Sequence, residues 1–417
     1  MGNTRSNGLT ASVKTTLKGN TMMFILVGVM VLFEILIGAK TGWNSHLFSP
    51  ANITNIIRQN AYVAILATGM LCCILTGGNI DLSVGSVVAL VGALAGVFIV
   101  NMGLPVWAAI LLCLVIGTAI GAFHGFFIAF IHIPPFITTL AGMLLWRGVA
   151  TIILDGKPIS PFPEKFLNLF ESFIPSSEAA KEKFGEFLFM DGWVDKYTMI
   201  VTLVVSVIAV FLYLVMEIIS RQRKIRKNYT VSPKSTFILK LVILSVVILI
   251  LGQFLARDRG IPVILILLGV IIVAYSYFTQ NTVPGRYLYA IGGNEKAARL
   301  SGVNTNNVMF FAYTNMGFIS AVAALVTVAR LNSAQPTAGT NYEMDAIASC
   351  FIGGASAYGG TGKVSGAVIG AIFMGVLNNG MSILGVDANW QRAVKGLVLL
   401  AAVIFDIVSK NKKGKKN

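Results

Sequence analysis

Charged side chains are scarce in this 417-residue sequence. Asp, Glu, Lys and Arg together make up 12% of it, about half of the share of about 25% that is usual in globular domains. Hydrophobic residues instead reach 56%, before the 42 glycines are counted. So little polar surface argues against an ordinary soluble domain and indicates a chain surrounded by lipid.

Cysteine and histidine are also few, and their positions argue against a metal centre or a set of disulfides. The three histidines, His46, His124 and His132, are too scattered to share a metal ion. We interpret His124 as an interior histidine with its own hydrogen-bond partners, and a polar cavity is the alternative. The cysteines lie in apolar stretches, where we expect buried small side chains: Cys72, Cys73, Cys113 and Cys350.

The sequence lacks a phosphate-binding loop of the form G-x-x-x-x-G-K-[ST]. The nearest stretch contains Gly362 and Lys363, but Ala357 stands where the first glycine is needed and Val364 follows the lysine. The sequence also shows no nucleophile–base arrangement and no paired carboxylates suited to catalysis. We therefore expect a chain that is not an enzyme, hydrolyses no nucleotide itself, and binds no metal or cofactor.

Apolar runs suited to about 30 Å of hydrocarbon recur along the whole chain. They predict an all-α polytopic membrane protein with twelve spans. The run at 346–358 is short, and Gly359 and Gly360 would let it turn back instead of crossing. The twelve runs are 22–37, 61–75, 84–100, 106–131, 136–154, 199–219, 237–255, 261–278, 308–328, 346–358, 364–384 and 393–408.

The net charge of +15 is concentrated in a few places. Cations cluster in a tail at 1–21, in a connection at 220–236 and in a tail at 410–417. Because Lys and Arg beside spans favour the cytoplasmic face, both tails and the connection are predicted to be cytoplasmic. Aromatic residues are not interleaved with these cations in a readable way, which argues against nucleic acid as a partner.

With the N-terminus inside and twelve crossings, residues 22–409 form one transmembrane domain. The loop at 155–197 is then extracytoplasmic, and the loop at 279–307 is cytoplasmic. The first apolar run is long and no suitable cleavage site follows it. We therefore expect it to remain as a span rather than to be removed as a signal peptide.

The stretch 285–304, GRYLYAIGGNEKAARLSGVN, predicts one short helix with both ends marked. Asn294 is a good N-cap, Glu295 favours the positive helix start, and Gly302 suits the position just past the end. A helix of about two turns is not stable alone in water. It therefore needs something to pack against, and an ordinary polar connector between two spans is the alternative interpretation.

A second polar stretch, LTGGNIDLSVGS at 75–86, interrupts the apolar pattern. Asp81 is costly there unless it caps the following helix or faces a polar passage, and both interpretations remain open. A stretch at 351–366 repeats the order of apolar run, glycine break and span, which hints at two related halves. Small residues four apart favour close helix packing, and they occur at Gly92 and Gly96, at Gly117, Gly121 and Gly125, and at Gly362, Gly366 and Gly370.

Three separated motifs, taken in order, resemble a known family. GGNIDLSVGS at 77–86, GRYLYAIGGNEKAARLSGV at 285–303 and FIGGASAYGGTGKVSGAVIGA at 351–371 are similar to the permease subunits of bacterial monosaccharide ABC importers, the ribose, galactose and xylose group. The similarity covers residues 50–408 and is greatest to the multiple-monosaccharide, xylose-like permeases. Asn79 is an extra residue relative to the ribose type. The resemblance implies a type II-like ABC importer permease fold with ten core helices and an extra pair around 220–236.

The same resemblance implies several partners. A separate ATP-binding subunit with two nucleotide-binding domains would hold the ATP and Mg. A second permease copy would complete a homodimer, and an extracytoplasmic sugar-binding protein would deliver a pentose or hexose such as xylose, arabinose, galactose or glucose. The chain would lie in the lipid of the bacterial cytoplasmic (inner) membrane.

By resemblance, the stretch 285–304 is the coupling helix that docks on the ATP-binding subunit. Ala297 and Ala298 would allow close approach there, while Lys296 and Arg299 would pair with acids across the interface. The residues implied in docking are Gly293, Asn294, Glu295, Lys296, Ala297, Ala298, Arg299, Ser301 and Gly302.

Polar residues within or beside spans are candidates to line the sugar pathway, although each also suits helix packing. They are Asn60, Asn79, Asp81, Asn315 and Asn378. The alternative function is an ion-coupled secondary sugar transporter, which would need several buried acids. Only Glu34 and Asp81 are candidates for that role. The sequence leaves open which sugar is carried and whether the two permeases are identical.

Overall fold

The structure, a computed structural model, describes residues 21–43, 46–175, 193–226, 228–229, 231 and 233–414. Most of the predicted N-terminal tail, the middle of the 155–197 loop and the end of the C-terminal tail lie outside these residues. In chain order the elements are α1 (Thr21–Thr41), α2 (Pro50–Gln59), α3 (Ala61–Leu75), α4 (Val84–Gly96, continued by a π-helical turn at Val97–Asn101), α5 (Val106–Ala129), α6 (Pro135–Ile153), α7 (Glu164–Leu167), β1 (Phe173–Ile174), α8 (Trp193–Arg226), α9 (Lys234–Ala256), β2 (Ile261–Pro262), α10 (Val263–Asn281), α11 (Val283–Gly293), α12 (Glu295–Leu300), α13 (Thr305–Leu331), α14 (Tyr342–Ile352), α15 (Val364–Ile383) and α16 (Ala388–Gly414).

The chain divides into two compact units, of which one contains Met1–Asn55 and Ser172–Val263. Within it α8 packs on α9, where a Cβ on Gly252 would lie 2.1 Å from Ser206 Oγ. Lys240 Nζ lies 2.6 Å from Glu217 Oε1 across the same pair of helices. The short strands β1 and β2 pair antiparallel in this unit.

The other unit contains Ile56–Glu171 and Ile264–Asn417 and holds the more deeply buried helices. α3 is buried along its whole length, and most of α4 and α14 is buried as well. In contrast, α5, α6 and α10 expose large apolar side chains along much of their length. Buried helices together with apolar outward faces are what a chain needs when lipid is its solvent.

Glycine brings α5 and α13 into backbone contact, as the four-residue spacing predicted. A Cβ on Gly121 would lie 2.4 Å from Tyr313 O and 2.9 Å from Gly317 Cα. The later triplet acts in the same way between α15 and α14, because a Cβ on Gly370 would lie 1.9 Å from Ser349 O. The prediction of close helix packing is confirmed at both places.

Each of the twelve predicted apolar runs overlaps a helix. By length and composition, eight helices of the described residues can cross a membrane, and α2 with α3, bent by 40° at Asn60, gives a ninth crossing if the pair is one span. α1, α14 and α16 do not enter that count, so the number of twelve stays a prediction. The short run at 346–358 contains the end of the 11-residue helix α14 and then a turn.

Candidate functional site

The predicted short helix is present as α12, and Asn294 is its N-cap. Asn294 Oδ1 accepts a hydrogen bond from Ala297 N over 3.0 Å. The helix ends at Leu300, and Gly302 follows with φ +86°, a left-handed conformation that glycine adopts at little cost. Both predicted ends of this helix are therefore confirmed.

A further helix, α11, precedes α12 and was not predicted. Its N-cap is Thr282, whose Oγ1 accepts from Gly285 N over 3.1 Å, and Pro284 stands in its first turn. Thr at the N-cap and Pro in the first turn are helix-start signals that were available in the sequence. Gly292 and Gly293 at the end of α11 lower its helix propensity, so the pattern pointed only to α12.

α12 presents an exposed, mostly polar surface. Ala298 is 6% exposed, so it seats the helix on its own chain rather than offering a close approach to another protein. Leu300, which the sequence pattern did not single out, is 90% exposed. The other predicted docking residues are all exposed: Gly293, Asn294, Glu295, Lys296, Ala297, Arg299, Ser301 and Gly302.

A groove lies between α11 and the start of α13. Tyr287 and Phe311 supply partly exposed aromatic rings to it, and Arg286 is exposed on α11 nearby in sequence. The groove is lined by Pro284, Tyr287, Asn304, Asn307, Val308 and Phe311. The groove has an apolar lining, and the segment 285–304 also carries the exposed cations Arg286, Lys296 and Arg299. Such a surface suits a protein partner whose contact surface has an apolar side chain surrounded by acidic side chains.

Asp81 is buried, and its carboxylate is used within its own turn. Its Oδ1 accepts from Ser83 N over 2.8 Å and from Ser83 Oγ over 2.6 Å. Ser83 Oγ lies 3.3 Å from His124 Nδ1, and Trp146 Nε1 donates to His124 Nε2 over 2.9 Å. These contacts join the first break to α5 and α6 and favour the capping interpretation of Asp81. His124 is an interior histidine with its own partners, as predicted.

The two glycine-rich breaks, at 76–83 and 353–363, lie against each other. A Cβ on Gly78 would lie 1.9 Å from Ala357 O, and a Cβ on Gly359 would lie 2.4 Å from Gly77 N. Each break therefore has a glycine whose missing side chain leaves room for the backbone of the other break.

The second break also meets the end of α3 and one residue of α11. Gly360 N donates to Leu75 O over 3.0 Å. A Cβ on Gly292 would lie 1.9 Å from the same carbonyl oxygen and 2.3 Å from Gly360 N. Tyr289, one helical turn before Gly292, donates from its hydroxyl to Gly362 O over 3.0 Å.

We call this contact of residues 75–78, residues 357–360 and Gly292 the glycine junction. Ala357 N donates from it to Asp406 Oδ2 of α16 over 3.3 Å. The junction thus brings together three motifs that are far apart in the sequence. The contacts are largely between backbone atoms, which makes them sensitive to any added side chain.

Two of the five predicted pathway residues lie together. Asn378 Nδ2 donates to Asn60 Oδ1 over 3.4 Å, and Asn60 Nδ2 donates to Ile56 O over 3.0 Å. A Cβ on Gly375 would lie 3.1 Å from the side chain of Asn60. These contacts join α15 to the bend between α2 and α3, as helix-packing amides do.

The other three pathway candidates do not join that pair. Asn79 Nδ2 donates to the carbonyl oxygen and to Oγ1 of Thr76, each over 3.3 Å. Asn79 therefore belongs to the first break together with Asp81. Asn315 of α13 accepts a hydrogen bond from the Tyr275 hydroxyl of α10.

Buried acids that the sequence pattern did not indicate lie at the start of α14. Glu343 and Asp345 are 9% and 1% exposed. Lys395 Nζ of α16 lies 3.0 Å from Asp345 Oδ1. The predicted apolar run began at residue 346, so neither carboxylate was considered part of a span. The expectation that Glu34 and Asp81 were the only candidates for buried acids was therefore wrong.

Long apolar helices, two broken segments whose turns meet, and paired charges in the interior together define a multi-pass membrane protein. A family model described as "Branched-chain amino acid transport system / permease component" matches residues 52–179 and 191–403. The chain therefore belongs to this family of transport permeases.

Individual relatives agree with the family match and confirm the resemblance to sugar permeases. The xylose transport system permease protein XylH of Escherichia coli is 33% identical over 94% of this chain and 93% of its own length. The ribose import permease protein RbsC of Escherichia coli is 33% identical over 90% of this chain and 92% of its own length. RbsC of Haemophilus influenzae is 34% identical over 89% and 90%. No solved structure matches the chain.

Proposed function

We propose that this chain is the transmembrane permease subunit of an ATP-driven ABC importer for a monosaccharide. The observation that carries the proposal is the similarity to xylose and ribose permeases, which extends over 94% and 90% of the chain. The family description also mentions branched-chain amino acids. The relatives named above are sugar permeases, which favours a pentose or hexose such as xylose, arabinose, galactose or glucose.

In this proposal the chain crosses the bacterial inner membrane twelve times, with both termini in the cytoplasm. The cation clusters of the sequence support this orientation, and twelve apolar runs that overlap helices support the number. The 155–197 loop is then outside, and the 220–236 and 279–307 loops are inside.

The cytoplasmic partner would be an ATP-binding subunit with two nucleotide-binding domains, which holds the ATP and Mg while this chain binds no cofactor. The exposed surface of α12 supports such a contact. Leu300 is 90% exposed and is suited to be the apolar anchor in a pocket of the partner, because burying a Leu side chain contributes about 1.5–3 kcal/mol. Lys296 and Arg299 would face acidic side chains around that pocket.

Outside the cell, a sugar-binding protein would deliver the monosaccharide to a dimer of two permease copies. Selectivity would rest mainly with that receptor, so the pathway needs only weak polar contacts. Asn60 and Asn378, which meet at the bend between α2 and α3, are the candidates joined by a side-chain hydrogen bond. Asn79 and Asp81 share the first break, and Asn315 stands alone on α13.

An ion-coupled secondary sugar transporter is the alternative, and the buried carboxylates of Glu343 and Asp345 are the observation that favours it. Asp345, however, is paired with Lys395 and hydrogen-bonded by Tyr62. A carboxylate with two such partners is better suited to holding helices together than to binding a transported ion.

Uptake of labelled monosaccharide into proteoliposomes tests the proposal. The chain is purified with its ATP-binding and sugar-binding partners and reconstituted with ATP on the ATPase side. We expect uptake that requires ATP and continues in the presence of a protonophore and a sodium ionophore. Uptake that needs no ATP and stops with the ion gradient would establish the alternative, and uptake of branched-chain amino acids instead of sugars would contradict the cargo.

A further inference from the structure

We propose that Gly292 is the point at which movement of the α11–α12 segment reaches both broken spans at once. This inference rests on the proposed function, because it names the route by which a docked ATP-binding subunit would act on the membrane part. In this view Gly292 is a positioning residue, whereas α12 itself provides the docking surface.

The contact at Gly292 joins backbone segments that are far apart in sequence. A Cβ on it would lie 1.9 Å from Leu75 O and 2.3 Å from Gly360 N. Leu75 is the last residue of α3, and Gly360 belongs to the second break. One residue of α11 therefore touches the segments on which both breaks depend.

The two breaks also contact each other, so a displacement of one moves the other. Gly360 N donates to Leu75 O over 3.0 Å, and the backbones at Gly78 and Ala357 leave no room for a side chain between them. Backbone contacts of this kind transmit displacement with little slack, because no flexible side chain lies between the moving parts.

Tyr289 provides a second link between α11 and the same break. Its hydroxyl donates to Gly362 O over 3.0 Å, while Leu288 and Ile291 are buried and fix the helix on the chain. α11 is thus attached to the second break at two points, one helical turn apart. A displacement of α12 that tilts α11 must move the glycine junction.

The inference is testable because Gly292 lies inside a helix, where alanine and valine are conformationally allowed. Gly292→Ala and Gly292→Val therefore add a side chain at the contact with Leu75 and Gly360, while the helical backbone conformation stays allowed. The matched control is Gly269→Ala in α10, where a Cβ would meet nothing within 4 Å. Each variant is reconstituted as the full complex, and ATP hydrolysis and sugar uptake are measured on the same proteoliposomes.

We expect Gly292→Val to copurify with the ATP-binding subunit and to retain ATP hydrolysis within about twofold, while sugar uptake falls at least about tenfold. The ratio of ATP hydrolysed to sugar transported should rise more for Val than for Ala and should not change for Gly269→Ala. A Gly292→Val complex with the wild-type ratio would overturn the inference. A parallel loss of hydrolysis and uptake would also overturn it, since that indicates a purely structural role.

Tyr289→Phe keeps the inference testable if Gly292→Val does not assemble. It removes the hydrogen bond to Gly362 without adding volume, and we expect the same ratio to rise about two- to fivefold. An unchanged ratio in Tyr289→Phe would then count as the contradicting result. If the wild-type complex shows no ATP-driven uptake, the proposed function fails rather than the role of Gly292.

Discussion

Tyr62 donates a hydrogen bond from its hydroxyl to Asp345 Oδ2 over 2.7 Å, although 283 positions separate the two residues. Lys395 Nζ lies 3.0 Å from the other oxygen of the same carboxylate. The ring of Tyr62 also stacks on Tyr342, with centroids 3.6 Å apart. One buried carboxylate thus links α3, α14 and α16.

Removing the cation from this group should destabilise the permease. Lys395→Met leaves Asp345 without its charged partner, and breaking a buried ion pair costs about 3–5 kcal/mol. Because the Lys395 side chain keeps 17% exposure, we expect the lower end of that range. Thermal unfolding of the detergent-solubilised chain measures the effect.

The double variant Lys395→Met with Asp345→Asn is the control for this prediction. It removes both charges and keeps a side chain that can accept from Tyr62, so most of the lost stability should return. A double variant that is no more stable than Lys395→Met would contradict the idea that the unpaired charge is the cause.

Adding volume at Gly121 should separate α5 from α13. The nearest atoms to a new Cβ are backbone atoms of Tyr313 and Gly317, which cannot move aside as a flexible side chain would. Gly121→Val should therefore lower the free energy of unfolding by about 1–3 kcal/mol, the usual range for overpacking. Gly148→Val, at a position with nothing within 4 Å, should have little effect in the same unfolding measurement.

Loss of the N-cap should weaken docking of the ATP-binding subunit. Asn294→Ala removes the acceptor for Ala297 N, which costs about 1 kcal/mol of helix stability, and about 1.4 kcal/mol corresponds to a tenfold change in affinity. We expect roughly fivefold weaker association by surface-immobilised binding. Asn294→Ser, which keeps a capping oxygen, should bind nearly as well as the wild type; equal binding by the Ala variant would argue against α12 as the docking element.

Truncating Leu300 should have a larger effect on the same association. Leu300→Ala removes the proposed apolar anchor, and burial of a Leu side chain contributes about 1.5–3 kcal/mol. Leu144 of α6 is also largely exposed and is the matched control, because Leu144→Ala removes the same atoms elsewhere. A loss of binding that is the same for both variants would contradict the role of Leu300.

Local features of this fold could be predicted from the sequence. The apolar runs placed the membrane helices because hydrocarbon requires long uninterrupted segments, and α3 has the bounds that its run predicted. The ends of α12 were predictable because Asn294 and Gly302 act within one helical turn of themselves.

Features that depend on distant contacts could not be predicted in this way. Nothing near Gly292 in sequence indicates that Leu75 and Gly360 lie against it. Asp345 stands just before an apolar run, and nothing close to it in sequence indicates burial. It is buried because Tyr62 and Lys395, which are distant in sequence, pack against it. The exposure of Leu300 was not predicted, because it follows from the direction in which the buried Ala298 seats α12 on the chain.

The sidedness of α12 tests the central claim most directly. All four native cysteines, Cys72, Cys73, Cys113 and Cys350, are buried, so a cysteine introduced by Leu300→Cys gives one exposed thiol for a membrane-impermeant maleimide. We predict that the thiol is labelled in inverted membrane vesicles and is not labelled in intact spheroplasts. A bound ATP-binding subunit should block the labelling in the vesicles. Labelling of this position from outside spheroplasts would contradict the account.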